Sequence, residues 1–127
     1  METIKKIAVY MDHFTANIIE YTDTAKEINI VKSEFNHFEK EEILQKGESH
    51  LHNKEQDMQN IFYKKLRDEM LNYNEILLFG PTTAKTELYT ILNEDSNFSN
   101  IKITIKNTDK LTDKQLIGFV NDCFYID

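Results

Sequence analysis

The sequence predicts an α/β fold of three layers, in which helices cover both faces of a mixed five-stranded sheet. Three observations lead to this prediction. Three strand-like runs joined by short polar turns open the chain, and strand and helix patterns alternate after them. Residues 76–80 then form an apolar run without alternation, which is typical of a strand buried on both faces. The predicted order is therefore β-β-β-α-β-α-β-α.

Residues 4–11, 14–21 and 27–33 are the three opening strands. In the first, Ile7 and Val9 alternate with less apolar neighbours, which is the period of a strand. Asp12-His13 and residues 22–24 are polar and suit tight turns. Short turns join antiparallel neighbours, so this half of the chain predicts a meander.

The middle of the chain combines a loop with a long helix. Residues 45–53 are polar and lack a period, and we expect them to form an exposed loop. Asn53, followed three residues later by Gln56, resembles a helix cap. Over residues 54–72, helical spacing relates the following apolar positions: Met58, Ile61, Phe62, Leu66 and Met70.

A strand–turn–helix unit follows that helix. Gly80 permits an unusual backbone turn, Pro81 ends the strand, and Thr82 or Thr83 can cap the next helix. The inner face of that helix is predicted to hold Ala84, Leu88, Ile91 and Leu92. Lys85 and Glu87 are expected to be solvated.

The last strand and helix have clear signatures. Isoleucines at 101, 103 and 105 alternate with polar residues, which predicts a half-buried strand. Thr112 and Gln115 form a capping box for a helix with the apolar positions Leu116, Ile117, Val120, Cys123 and Phe124. Alternation of strand and helix in this half predicts parallel strands joined by right-handed crossovers.

Composition narrows the classes of function. With 127 residues, we expect one domain spanning the whole chain. The net charge of -7 disfavours general binding to DNA or RNA, because such affinity depends on basic side chains at phosphates. A single cysteine and no apolar run of about 20 residues lead us to expect a cytoplasmic protein that does not enter membranes.

No catalytic or metal site is predicted. The turn at residues 80–85 lacks the second glycine of a phosphate-binding P-loop. His50 and His52 are spaced to share a metal, but the sequence supplies no further ligand beside them. The element order is that of RNase H-like folds, whose nucleases need an acid within the first strand, whereas Asp12 belongs to the turn. We therefore predict neither a cofactor nor a metal.

Four stretches resemble a known family. Residues 7–18 resemble the opening hairpin of the central domain of class-1 release factors and Pelota, and of small bacterial translational machinery proteins. Residues 46–50 precede a long helix, where release factors carry their Gly-Gly-Gln loop. Residues 79–88 match the family turn Gly-x-x-x-x-Lys-x-Glu-Leu, and residues 108–116 resemble the last strand–helix junction of the bacterial relatives.

The resemblance implies a partner, the ribosome through its RNA or proteins, and no membrane or DNA. In place of Gly-Gly-Gln the chain reads Lys46-Gly47-Glu48, and a carboxylate can neither copy the amide donor nor approach RNA without repulsion. Hydrolysis of peptidyl-tRNA is therefore not expected. The resemblance implies a factor that occupies the ribosome in hibernation or rescue, as the central domain of Pelota does. The proposed contacts are Lys46, Gly47, Glu48, His50, His52, Lys54, Lys64, Arg67, Thr82, Thr83 and Lys85.

Two other functions are consistent with the sequence. The first is a module that binds a separate protein or a second copy, for which the acidic charge and exposed C-terminal aromatics Phe124 and Tyr125 are suited. The second is an RNase H-like nuclease, whose magnesium-dependent cleavage would be abolished by Asp12→Asn.

Overall fold

A computed structural model describes residues 5–33 and 48–125 of the chain, with side chains over 5–33 and 56–124. It contains five strands: β1 (Lys6–Met11), β2 (Thr15–Tyr21), β3 (Ala25–Lys32), β4 (Glu75–Gly80) and β5 (Lys102–Asn107). The helices are α1 (Glu48–Met70), α2 (Ala84–Asn93) and α3 (Asp113–Tyr125), with a 3-10 turn at Ser96–Phe98. Over the described residues, this order matches the predicted alternation of strands and helices.

The five strands form one mixed sheet in the order β3-β2-β1-β4-β5. The β1, β2 and β3 strands make an antiparallel meander, while β4 pairs parallel with both β1 and β5. Strands β1, β4 and β5 all end at one edge of the sheet, which we call the upper edge. The predicted mixed sheet is therefore confirmed.

Helices pack on both faces of the sheet because successive strand residues point to opposite sides. Ile7, Val9 and Met11 of β1 belong to a buried cluster with α1 and α2. Ala8 belongs to a second buried cluster, which includes Leu116 and other α3 residues. The result is three layers, with α1 and α2 on one face and α3 on the other.

Two local features match their sequence signatures. The Thr112 N–H donates to Gln115 Oε1 (2.9 Å), and the Gln115 N–H donates to Thr112 Oγ1 (3.3 Å). This reciprocal pair is the predicted capping box. Asp12 Oδ1 accepts the backbone N–H groups of Phe14 and Thr15, both at 2.8 Å, which makes Asp12 the turn residue that was predicted.

The start of α1 differs from the prediction. The helix begins at Glu48 rather than at residue 54, so residues 48–53 of the predicted loop are helical, and residues 45–47 lie outside the described part of the chain. No glycine or proline interrupts the chain from Glu48 to Phe79, so the helix can start directly after Gly47. The apolar pattern begins only at Met58, and this is why the earlier turns were missed.

Two predicted positions of apolar residues are wrong. Ile91 is 38 % exposed, because the inner face of α2 is formed by Ala84, Lys85, Leu88 and Leu92. Phe124 is only 4 % exposed, since its ring packs against Tyr21 with centroids 5.3 Å apart. This confirms Phe124 as an apolar position of the last helix and contradicts the exposed position expected for a protein-binding module. The C-terminal aromatics therefore do not form the exposed pair that was expected, although the side chain of Tyr125 is not described.

No helix in the described ranges is long and apolar enough to cross a lipid bilayer.

Candidate functional site

Gly80 brings β4 close to β1 at the upper edge. Its φ is +148°, a conformation that residues with side chains rarely adopt. A Cβ atom at this position would lie 2.3 Å from the carbonyl oxygen of Met11. The glycine of the Gly-x-x-x-x-Lys-x-Glu-Leu turn is thus required by the backbone itself.

Thr82 and Thr83 start α2 in different ways. The Ala84 N–H donates to Thr82 Oγ1 (3.2 Å), so Thr82 supplies the side-chain cap. Thr83 occupies the N-cap position without such a bond, and its hydroxyl donates to Glu87 Oε2 instead (3.2 Å). Both hydroxyls serve the turn, which agrees with its prediction as a helix cap.

Lys85 is buried, which corrects the expectation that it is solvated. The residue is only 2 % exposed, and its Nζ donates to the backbone carbonyl of Thr82. Burial lowers the pKa of this ammonium below its ordinary value. The long side chain folds back over its own turn, so Lys85 orders the start of α2, and its predicted contact with RNA gains no support from this position.

Glu87 joins three elements at the upper edge. Its carboxylate accepts a hydrogen bond from the Tyr63 hydroxyl of α1 (2.7 Å) and lies 3.0 Å from His13 Nε2 in the β1–β2 turn. Burial alone would raise the pKa of Glu87, but the hydrogen bonds with His13 and Tyr63 outweigh it and lower that pKa. Burial and the bond to Glu87 also raise the pKa of Tyr63 above its usual range.

His13 was expected to face solvent, but it is only partly exposed and is held by this cluster. Sequence reasoning missed the cluster because Glu87 is 24 residues from Tyr63 and 74 from His13. No local period links such distant positions. The only sequence signal near this cluster is the family turn Gly-x-x-x-x-Lys-x-Glu-Leu, which contains Glu87.

The α1 helix extends beyond the upper edge of the sheet. Gln59 Nε2 donates to the backbone carbonyl of His13 (3.1 Å), which places this residue of α1 at the level of the β1–β2 turn. Residues 48–58 precede that level, and at 1.5 Å per residue they extend about 16 Å past it. Glu48, His50, His52 and Lys54 lie on this extension, whereas Lys46 and Gly47 lie outside the described residues.

The two other predicted basic contacts on α1 have different surroundings. Lys64 is exposed. Arg67 is partly buried, with Nε 2.5 Å from Asp95 Oδ2 and one terminal nitrogen 3.0 Å from Asp68. Its guanidinium also lies 5.9 Å from the ring centroid of Phe98. Arg67 therefore holds α1 to the segment after α2, and Lys64 is the more accessible of the two.

Within the residues for which the structure describes side chains, no three His, Cys, Asp or Glu residues converge as metal ligands. Cys123 is partly buried and packs against the cluster beneath α3, as predicted for a small apolar residue. The predicted histidine pair at 50 and 52 has no described side chains.

These observations define a class of protein: a three-layer α/β domain of RNase H-like element order, with a long helix that rises past the carboxyl ends of its strands. No family model and no curated protein matches the chain. Solved structures of archaeal Pelota do match it. The structure of Archaeoglobus fulgidus Pelota, which reveals inter-domain structural plasticity, covers 97% of this chain at a TM-score of 0.61 and 9% identity.

Pelota of Thermoplasma acidophilum covers 94% of the chain at a TM-score of 0.60 and 14% identity. In both cases the chain spans 32% of the length of the solved protein, about a third. At such low sequence identity, the structural similarity shows that this chain shares the fold of that part of Pelota. The predicted resemblance to Pelota is therefore confirmed at the level of a Pelota-like domain fold.

Proposed function

We propose that this chain is a non-catalytic, ribosome-associated translation factor of the hibernation or rescue type. The observation that carries the proposal is the Pelota-like fold across 97% of the chain. The family turn also has a physical role in this chain, because Gly80, Lys85 and Glu87 each make a contact at the upper edge. The same residues that suggested the family therefore build the part of the fold that supports α1.

The extended end of α1 is the proposed contact surface with the ribosome. Tyr63 and Gln59 anchor the helix at the upper edge, so the preceding turns are presented from a fixed base. The proposed contacts on this extension are Glu48, His50, His52 and Lys54, with Lys46 and Gly47 before it and Lys64 behind it. Lys46, Lys54 and Lys64 can each contact a phosphate even in a chain of net charge -7, although Glu48, Glu55 and Asp57 lie in the same stretch of sequence.

The proposed function excludes ester cleavage. Release of a nascent chain requires the Gly-Gly-Gln motif in the relatives that perform it, and this chain has Lys46-Gly47-Glu48 at the matching place. An ionised carboxylate only accepts hydrogen bonds, so Glu48 cannot supply the donor of the glutamine amide. Occupation of the ribosome without hydrolysis is the function that remains consistent with this chemistry.

Sucrose-gradient sedimentation of purified ribosomes with the purified chain tests the proposal. We expect the chain in the ribosome fractions, with less binding at higher salt because phosphate contacts release counterions. The double variant Lys54→Glu, Lys64→Glu should stay at the top of the gradient. The matched variant Lys5→Glu, Lys26→Glu makes the same charge change at the opposite end of the strands, at exposed side chains, and should sediment like the wild type.

Two results would contradict the proposal. One is a wild-type chain that stays at the top of the gradient at low salt. The other is release of the nascent chain from peptidyl-tRNA by the purified protein, which would show that the motif at residues 46–48 acts catalytically.

One observation favours a protein-binding module as the second candidate. Ile28 and Ile30 are 45 % and 47 % exposed on β3, which is an edge strand of the sheet. Pairing of a further strand with β3 is partly blocked. The register between β3 and β2 shifts beside Ile28, and the Ile30 N–H is already bonded to Asn29 Oδ1 (2.9 Å). This candidate predicts oligomers by light scattering and no sedimentation with ribosomes.

An RNase H-like nuclease would show magnesium-dependent cleavage that Asp12→Asn abolishes. Asp12 Oδ1 is used by the turn in this structure.

A further inference from the structure

The chain after β4 and the chain after β5 leave the sheet toward opposite faces. The first enters α2, on the face shared with α1, and the second enters α3, on the other face. Where connections from adjacent parallel strands diverge in this way, a crevice opens beyond the carboxyl ends of the strands. Ligands of open α/β sheets bind in such crevices.

The structure has a crevice at this place, with two compartments that share Leu111. The smaller one has a volume of 230 Å³, and its polar lining includes Asp12, Asn17 and Lys110. The larger one has a volume of 450 Å³ and is lined in part by Asn107 and the ring of Phe119. This compartment is wide open to solvent, so a ligand bound there would keep one side exposed.

A hydrogen bond fixes the segment after β5 that lines the crevice, and polar side chains in the lining are available to a ligand. The Leu111 N–H donates to the Tyr10 hydroxyl (2.8 Å), which fixes the segment after β5 over β1. Asp12 uses only Oδ1 in its turn, and the side-chain amide of Asn17 has no hydrogen bond to the described residues. Among those residues, Thr108 Oγ1 is also buried in the crevice wall without a partner.

The charges in the crevice disfavour a phosphate chain as the ligand. Two carboxylates, Asp12 and Asp109, face one ammonium, Lys110, so the lining has a net charge of −1 by this count. Carboxylates accept hydrogen bonds from sugar hydroxyls, as the acidic residue of dinucleotide-binding folds does at ribose. Side-chain amides pair with the polar edges of bases. Phe119 stacks one face on Phe79, with centroids 4.8 Å apart, and lines the larger compartment with the rest of its ring.

From this placement we propose that the crevice at the divergence of β4 and β5 binds a nucleoside unit. The base lies in the larger compartment against Phe119 and Asn107, and the sugar hydroxyls lie in the smaller compartment near Asp12 and Asn17. Two sources supply this chemistry: a free nucleoside, or an unstacked nucleotide of an RNA strand. The proposal does not depend on ribosome binding, because it is tested on the isolated chain.

Two-dimensional ¹H–¹⁵N NMR of the labelled protein tests the site with three probes: adenosine, ATP and a short oligoadenylate. Adenosine should shift the backbone amide of Leu111 and the side-chain amides of Asn17 and Asn107 in a saturable way. ATP should bind about ten-fold more weakly, because its phosphates meet the acidic lining. The acidic lining also opposes the phosphodiesters of oligoadenylate, so it should bind more weakly than adenosine if the source is a free nucleoside. Oligoadenylate binding at least as tight as adenosine would identify RNA as the source and contradict the charge argument.

Variants separate this site from other surfaces. Asn17→Ala should weaken adenosine binding about ten-fold, which corresponds to the loss of one or two hydrogen bonds. Leu111→Trp should abolish binding by filling the space between the compartments. The matched variant Asn100→Ala removes an exposed amide at the opposite edge of the sheet and should bind as the wild type does.

Several results would overturn the proposal. They are the absence of saturable shifts with both adenosine and oligoadenylate, tighter binding of ATP than of adenosine, and wild-type affinity in both Asn17→Ala and Leu111→Trp. Signal dispersion in the spectra of each variant shows whether it is folded, so a loss of binding is not confused with unfolding.

Discussion

Replacement of Gly80 by alanine is the sharpest test of the contact between β1 and β4 at the upper edge. A residue with a side chain at a φ of +148° costs about 1–3 kcal/mol in backbone strain. The added Cβ also overlaps the Met11 carbonyl oxygen at 2.3 Å, and overpacking of this kind costs about 1–3 kcal/mol more. Gly80→Ala should therefore lower the free energy of unfolding by about 4 kcal/mol, a large part of the total of about 5–15 kcal/mol.

Urea unfolding followed by circular dichroism measures this loss. With a slope of about 2 kcal/mol per M, the midpoint of Gly80→Ala should fall by about 2 M. Gly118 is the matched control, because it lies within α3 and a Cβ there meets no atom within 4 Å. Gly118→Ala should raise the free energy of unfolding by about 0.5–1 kcal/mol, since alanine favours the helix. Equal midpoints for Gly80→Ala and the wild type would refute the close approach to Met11.

Three further predictions concern the start of α2 and the start of α3. Lys85→Met should raise the free energy of unfolding by about 1 kcal/mol at pH 7, because the relief of a buried ammonium should outweigh the loss of its hydrogen bond to the Thr82 carbonyl. Because the folded pKa of Lys85 is lowered, this gain in stability should shrink as the pH rises from that pKa toward the ordinary value of about 10.4. If Lys85→Met gives no gain in stability at pH 7, the burial of the Lys85 ammonium is contradicted. Glu87→Gln should cost about 1 kcal/mol at pH 7. The folded pKa of Glu87 is lowered, so this loss of stability should be present above the unfolded pKa of about 4.3 and should vanish as the pH falls through the folded pKa. If urea titrations show the same loss of stability at every pH, the charge of Glu87 is not involved. Thr112→Ala should cost about 1 kcal/mol by removing one half of the capping box, and an unchanged thermal midpoint would contradict that bond.

Local patterns were sufficient for most elements of the fold. The alternation of Ile7 and Val9, the unbroken apolar run of β4 and the Thr112–Gln115 capping box each depend on neighbours in sequence, and each has its predicted structure. The start of α1 was missed, because the turns before Met58 show no apolar period to mark a helix. The inner face of α2 was also assigned incorrectly, since Lys85 occupies a buried position where hydropathy places a solvated side chain.

The candidate site was less predictable than the fold. The family turn pointed to Gly80, Lys85 and Glu87, but their roles depend on Met11, Thr82 and Tyr63, and two of these partners lie far away in the chain. The crevice beyond β4 and β5 had no signature in the sequence. Its walls come from separate strands and loops, and each polar residue there has the pattern of an ordinary turn or strand position.

The sequence by itself determined the order of strands and helices, the mixed sheet and the absence of a Gly-Gly-Gln motif, because these depend on residue type and on periods of a few residues. The tertiary structure alone decided which carboxylate meets which donor, that an ammonium is buried at the start of α2, and that a crevice opens where two connections diverge. The physical reason is the distance in sequence over which each effect works. Periodic patterns relate residues that are close in the chain, whereas burial and hydrogen bonding also involve residues far apart in sequence that only folding brings together.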